Sequence, residues 1–307
     1  MSSISRHIRG FLFLVVAGAL AHCGRDASPL PLNPTPPGIT NAVISLTGPP
    51  GVLVGAGDIG FCGTSGAAAT AQLLDRLGGM VFTTGDNAYV SGSVDEFQRC
   101  YEPTWGRHRS RTHPSPGNHD YESGGGAYYS YFGASAGPGG AGYYAYFAGP
   151  WRVIALNSEI PSGQGSPQMD WLSEELATNR IACTAVYWHR PLFSSGRHGD
   201  NPDMRDVWRT LYANNVDLII NGHDHNYERF APQDPDGRPD PARGIREFIV
   251  GTGGAPLYAF PNIHGNSEAR GSVWGVAVFT LASGGYQYEF VPVAGESFRD
   301  SGSGSCH

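Results

Sequence analysis

The sequence predicts an α/β fold built as a single domain behind a short leader. Three observations predict it. Apolar strand-like runs alternate with helix-periodic segments between Gly51 and Asn221. Beyond Gly244 the pattern becomes β-rich, with no repeat and no linker that would divide the chain. The strand-like runs of the first part end in tight turns carrying aspartate, asparagine and histidine.

Composition fits this class. Of the 307 residues, 40% are hydrophobic and 15% charged, enough for a packed core, while 44 glycines and 23 prolines place much of the chain in loops and turns. A net charge of −7 argues against a nucleic-acid partner, which usually meets a basic surface. Small anionic substrates stay open, because a metal site reverses the charge locally.

At the N-terminus, Arg6 and Arg9 precede the apolar run Phe11 to Ala21. That run is too short to span a bilayer and has the length of a signal-peptide core. Residues 1–22 therefore read as a signal peptide and the protein as exported, periplasmic or extracellular. Two cleavage readings compete. "ALA" at Ala19–Ala21 would release a soluble protein, whereas "LAHC" resembles a lipoprotein box with His22 where a small residue is expected, and would leave a lipid anchor at Cys23. The stretch 23–40, Pro-rich from Ser28 to Gly38, reads as an extended spacer, and 41–307 as the domain itself. Without Cys23, four cysteines remain: Cys62, Cys100, Cys183 and Cys306. An even number in an exported chain favours two disulfides. Of the three possible connectivities, Cys62–Cys100 with Cys183–Cys306 is preferred, the second pinning the C-terminal tail.

Taken in order, "GVLVGAGDIG" (51–60) is a strand ending in a Gly-flanked loop, and "ATAQLLDRLG" (69–78) a helix with Gly78 as its stop. "MVFTTGDNAY" (80–89) is a second strand and loop. "VDEFQRCYEPTW" reads as a short helix and "RTHPSPGNHDY" runs into a third polar turn. Tyr143 to Asn157 reads as two strands across a turn. Ser166 and Pro167 suit the N-cap and first turn of a helix over "QMDWLSEEL". "CTAVYWHRP" (183–191) is a strand ending at a histidine. In 204–215, Met204, Val207, Trp208, Leu211 and Tyr212 share one helical face. "VDLIIN" is a buried strand, "IREFIVGTGG" another, and Val273 to Val293 a hairpin through Ser283–Gly285.

Five of these strand ends share one pattern. They carry Asp58 in "GDIG", Asp86 and Tyr89 in "GDNAY", Asn118, His119 and Asp120 in "GNHD", His189 in "VYWH", and His223 and His225 in "GHDH". Each alone is compatible with an ordinary turn or a hydrogen-bonded histidine. Together they are not, because an α/β sheet gathers its ligand groups at the carboxyl ends of its strands. Two carboxylates, one amide oxygen, three imidazoles and a phenol exceed a tetrahedral zinc site and suit two metals sharing a carboxylate. Oxygen and imidazole without thiolate favour iron, manganese or zinc, and a tyrosinate favours a ferric ion. The glycine clusters at 124–126 and 137–140 lack the strand–loop–helix context of a nucleotide site.

The series GDIG, GDNAY, GNHD, VYWH, GHDH, spanning 57–225, resembles the five-motif signature of the purple acid phosphatases, within the calcineurin-like metallophosphoesterases. The resemblance implies a four-layer α/β/β/α sandwich with two packed mixed β-sheets, here in a compact, single-domain bacterial form. It implies Asp58, Tyr89 and His225 on a ferric ion, Asp86 as the bridge, and Asn118, His189 and His223 on a divalent iron, zinc or manganese. "HRPLFSSGRH" resembles the family stretch that brings a further histidine, here His198, to the substrate. His119 and His198 would then contact the phosphoryl group and protonate the leaving group, with Asp120 orienting His119. The reaction implied is hydrolysis of a small phosphorylated substrate, a phosphomonoester, by in-line attack of a metal-bound hydroxide. The alternatives are a phosphodiesterase or nucleotidase on the same site, decided by loops 121–142 and 194–203, or a silent binding protein on this scaffold. Asp224 reads as a turn or supporting residue, and Asn226, Tyr227 and Arg229 as loop support or plain packing.

Overall fold

Period-two alternation along the strands builds two mixed sheets with a shared interior. The computed structural model describes residues 47–178 and 180–307. The leader, the spacer and Cys23 lie outside these residues. In the first sheet, β1 (Gly51–Ala56), β2 (Met80–Thr84) and β3 (Thr112–Ser115) run parallel. The hairpin β11 (Gly275–Ala282) and β12 (Gly285–Pro292), with β13 (Asp300–Ser305), extends it antiparallel on the β1 side. The second sheet has the order β10-β8-β9-β7-β6-β5-β4. There β5 (Trp151–Ala155), β6 (Thr184–Tyr187), β7 (Leu218–Asn221) and β9 (Arg246–Val250) are parallel. Antiparallel strands β4 (Tyr144–Ala148), β8 (Tyr227–Phe230) and β10 (Ser267–Gly271) complete it.

Residues of one parity fill the space between the sheets. Phe82 packs on Tyr187 with ring centroids 5.9 Å apart, Phe248 on Phe279 at 5.1 Å, and Tyr227 on Phe290 at 4.5 Å. The opposite parity of the second sheet, Ile154, Val186, Ile219 and Ile249, packs under Leu172 of α5 (Pro167–Thr178) and Trp208 and Leu211 of α6 (Arg205–Ala213). Outside the first sheet lies α1 (Gly66–Leu74), whose Thr70 hydroxyl accepts from the Trp105 indole at 2.9 Å. The result is the expected four-layer α/β/β/α sandwich. Burial of aromatic side chains on this scale makes the sheet–sheet interface the main source of stability.

Several expectations needed correction. The helix expected over 69–78 runs over Gly66–Leu74, and the left-handed residue that turns the chain into β2 is Gly79, with φ of 102°, rather than Gly78. "RTHPSPGNHDY" holds β3, and the polar turn expected after it continues into the short helix α3 (Asn118–Glu122), while the short helix expected over "VDEFQRCYEPTW" forms over 94–101, α2 (Val94–Glu96) passing into a wider π turn at Phe97–Tyr101. Helix α4 (Gly126–Phe132) follows inside the glycine-rich region. Three strands carried no readable alternation. β8 has Glu228 buried beside Tyr227 and Phe230, while β10 and β13 are polar edge strands held by backbone pairing and by ion pairs such as Arg246–Glu268 and Arg229–Asp300.

Both preferred disulfides form: Cys62–Cys100 and Cys183–Cys306, with Cα separations of 5.0 and 5.4 Å. Two disulfides fit an oxidising compartment. No helix among the described residues is long and apolar enough to cross a membrane. The second bridge fastens the tail beside buried Asp217, whose carboxylate accepts from Thr184 N at 2.8 Å and His307 N at 3.0 Å. It closes a loop across 123 positions. Replacing Cys183 and Cys306 by serine should therefore lower unfolding stability by about 2–5 kcal/mol. Chemical denaturation of the oxidised protein checks this, and an unchanged midpoint would show the tail to be energetically idle.

Candidate metal centre

The site forms where β1, β2, β3, β6 and β7 end, because each parallel strand delivers the next few residues to the same edge. The backbone is unusual there. Asp58, Asp86 and His223 have φ of 60°, 52° and 72°, and Asn215 is the only other non-glycine with positive φ among the described residues. Such conformations cost roughly 1–3 kcal/mol each and concentrate where a side chain must be aimed. The neighbouring glycines serve close approach more than turning. A Cβ on Gly117 would lie 2.2 Å from Asp86 Oδ1, and one on Gly222 2.7 Å from Asp58 Oδ2.

Seven side chains converge in two groups. In the first, Tyr89 Oη lies 2.7 Å from Asp58 Oδ1, 2.9 Å from Asp86 Oδ2 and 3.1 Å from His225 Nε2. His225 Nε2 is 3.3 Å from Asp58 Oδ1. In the second, His189 Nε2 lies 3.1 Å from Asn118 Oδ1, 3.1 Å from His223 Nδ1 and 3.3 Å from Asp86 Oδ2. The groups meet at one atom, Asp86 Oδ2. Asp58, Asp86 and His189 are fully or almost fully buried.

Proton bookkeeping shows what these atoms lack. His189 Nδ1 donates to Thr84 O at 2.8 Å and His225 Nδ1 to Pro256 O at 2.6 Å. In its neutral form each ring would therefore turn an Nε2 lone pair toward carboxylate, amide and phenol oxygens. Backbone carbonyls fix metal-ligating histidines in this way. Burial opposes charge on His189, yet Asp86 and Asp58 push its pKa up to about 10. The site thus calls for positive charge among its donors. Burial, and then the Asp58 and Asp86 charges, drive the Tyr89 phenol far above its ordinary value, so it ionises only against a strong cation. A hard oxygen-and-imidazole donor set with no thiolate fits two metal ions.

Two further expected residues stand at the rim. His119 donates its backbone N–H to Asp86 Oδ1 at 2.8 Å, and its ring packs on Tyr89 at 4.5 Å with Nε2 4.0 Å from Asp86 Oδ2. His198 stacks on His223 at 4.2 Å. Asp120 needs correction. Its carboxylate accepts from Asn87 N at 3.1 Å, Asn87 Nδ2 at 2.9 Å and Gly117 N at 2.9 Å, while the His119 ring reaches Val90 O instead. Asp120 therefore locks the Asn118 turn to the Asp86 loop and does not orient His119. Burial, then the Asp86 charge, raises its pKa to about 7.

Sequence reasoning also undervalued three residues. Asp224 is fully buried and accepts from Ser194 Oγ at 2.5 Å and His198 N at 2.8 Å, so it fastens the His198 loop to the ligand loop. Its position between His223 and His225 was the available signal. Arg190 binds Glu159 at 3.0 Å and lies 3.4 Å from His223 Nε2. Tyr258 stacks on His225 at 4.0 Å from a segment with no strand or helix pattern. Tyr227 and Arg229 reach Asp300 rather than the site.

The geometry generates a direct test. Asp86→Ala should lower metal content from two ions to one or none per chain, measured by elemental analysis after dialysis. Two retained ions would remove Asp86 from the shared position.

The sequence profile of the calcineurin-like phosphoesterases matches residues 52–227. An uncharacterised protein of Mycobacterium tuberculosis is 32% identical over 146 residues, covering 39% of this chain and 28% of that protein. Purple acid phosphatase 21 of Arabidopsis thaliana is 31% identical over 86 residues, covering 26% of this chain and 20% of its own length. The chain thus spans less than a third of the curated relatives it matches. The purple acid phosphatase PPD1 from yellow lupin (Lupinus luteus) superimposes with a TM-score of 0.68 at 19% identity, over 85% of this chain and 54% of that one, which is a likeness of fold. The chain belongs to the calcineurin-like phosphoesterase family and, within it, resembles the purple acid phosphatases.

Proposed function

We propose that this protein is an exported phosphatase, with signal peptide 1–22 and spacer 23–40, that hydrolyses phosphomonoesters at a dinuclear metal site in domain 41–307. The observation that carries the reading is the convergence of seven lone-pair donors on two positions joined at Asp86 Oδ2. Asp58, Tyr89 and His225 would hold a ferric ion, and Asn118, His189 and His223 a divalent iron, zinc or manganese. When bound, the two ions supply Lewis acidity that neutralises charge on the phosphoryl oxygens and makes water acidic enough to attack phosphorus. The names of the plant relatives support the choice of monoesters, and the two disulfides support export.

The chain's own residues do the rest. The glycine-flanked strand ends hold the donors rigid, so charge stabilisation requires little reorganisation. His119 is tied to Asp86 through its backbone and to Val90 O through Nδ1, which leaves Nε2 facing the site to hydrogen-bond a phosphoryl oxygen. His198 stacks on His223; in its protonated form it would meet the leaving group and deliver the proton to the departing alkoxide.

Two measurements test this reading. Purified metal-loaded protein should show a visible tyrosinate-to-ferric absorption that Tyr89→Phe abolishes; an active, colourless and iron-free enzyme would remove the ferric assignment. His119→Ala should keep both ions yet lower kcat on a phosphomonoester by about 10²–10⁴. Unchanged turnover would strike His119 from the mechanism, and a panel of mono- and diesters assayed alongside would expose a diesterase.

A further inference from the structure

Arg197 is an exposed guanidinium on a rigid mount. The loop beneath it is tied down along its length. Ser194 N donates to Asp200 Oδ1 at 3.0 Å, Ser195 N to Glu228 Oε2 at 2.9 Å and Gly196 N to Ser194 Oγ at 2.9 Å. His198 N and Ser194 Oγ both bind the buried carboxylate of Asp224. A Cβ on Gly196 would lie 2.2 Å from Asp224 Cγ, so the loop sits flush against the ligand loop. Exposed arginine side chains ordinarily sample many rotamers. This one lies over the Tyr258 ring, 5.3 Å from its centroid, and Tyr258 in turn stacks on His225 at 4.0 Å.

The charge of Arg197 is uncommitted. Arg190, the other guanidinium close to the centre, is held by Glu159 at 3.0 Å. Among the described residues no carboxylate pairs with Arg197, whose one recorded contact is the Tyr258 face. Beside it opens a cleft of about 420 Å³, lined by Arg197, His198, Gly199, Asp200, Asn262 and His264. The acid in that lining, Asp200, is already engaged by Ser194 N and by His264 Nε2 at 2.9 Å. In a chain of net charge −7, the cleft therefore offers one free cation next to His198.

We propose that Arg197, steadied by Tyr258, binds an anionic group on the leaving group, so that this site prefers phosphomonoesters whose alcohol carries a second negative charge, a carboxylate or another phosphate. The inference rests on the phosphatase reading above. A guanidinium over an aromatic face keeps its in-plane N–H donors free for an oxyanion, the geometry at which arginine binds carboxylate and phosphate best. It lines the cleft beside His198 and makes no contact with the seven donors, so the phosphoryl group being transferred is not its target. It would meet whatever is joined to that group.

The test compares matched pairs on the metal-loaded full-length protein: 3-phosphoglycerate against glycerol 3-phosphate, and fructose 1,6-bisphosphate against fructose 6-phosphate. The wild type should show a higher kcat/KM for the more anionic member of at least one pair, and the pair that responds identifies the anion. Arg197→Ala should shrink that ratio by roughly fivefold to tenfold, modest for a charged hydrogen bond because the group is exposed. Arg197→Lys should retain part of the preference, which a purely structural role of Arg197 would not produce. A wild type that shows no preference, or a ratio untouched by Arg197→Ala while glycerol 3-phosphate is still turned over, overturns this inference alone. Absence of turnover on every monoester overturns the phosphatase reading and this inference with it.

Discussion

Two carboxylates, three imidazoles, an amide and a phenol are packed within hydrogen-bond reach of one another, with their lone pairs turned inward, and most of the rest of the site follows from that constraint. Two carboxylates buried this close together repel and are poorly solvated, a cost that a folded chain sustains only with compensation. Thr84 O and Pro256 O take the outer ring protons of His189 and His225, which fixes both rings with Nε2 inward. The demand for cations is therefore written into the backbone hydrogen bonds as well as into the choice of side chains. Asp86 Oδ2, common to both donor groups, is the atom on which two charges would be shared.

Holding such an arrangement needs a stiff frame. The two sheets supply it, with Phe82, Tyr187, Phe248 and Phe279 filling the space between them and parallel strands ending at one edge. At that edge the chain leaves the strands through left-handed residues at Asp58, Asp86 and His223. That strain persists because hydrogen bonds around it over-determine the conformation: Asp120 fastens the Asn118 turn to the Asp86 loop, and Asp58 Oδ2 accepts the backbone N–H of His223. The outer shell is thus a set of buried carboxylates accepting backbone N–H groups, and Asp224 extends it to the loop that carries Arg197 and His198.

The same division explains which parts of the protein were legible in its sequence. Strong alternation or helical spacing marked β1, β2, β5, β6, β7, β9, the β11–β12 hairpin, α5 and α6 correctly. The polar strands β10 and β13 escaped notice, because edge strands are specified by the strand they pair with. In the site, the aspartates and histidines stood out because polar residues directly after apolar runs are hard to explain as core. Asp120 and Asp224 misled in opposite directions. Both are acids beside candidate ligands, and sequence adjacency does not reveal whether a carboxylate faces a ring, a backbone amide or the solvent.

By itself the sequence determined the α/β class, the strand ends that carry metal-capable side chains, the seven candidate donors and the pairing preference among four cysteines, because these depend on local residue type, period and motif order. The tertiary structure alone decided that the donors form two groups meeting at Asp86 Oδ2, that Asp120 braces a turn, that Asp224 anchors the His198 loop, and that Arg197, beside the cleft at His198, has no carboxylate partner among the described residues. Those outcomes depend on contacts between residues far apart in the chain, 26 positions for His198 and Asp224 and 165 for Asp58 and His223, and only the packing of two sheets sets such distances.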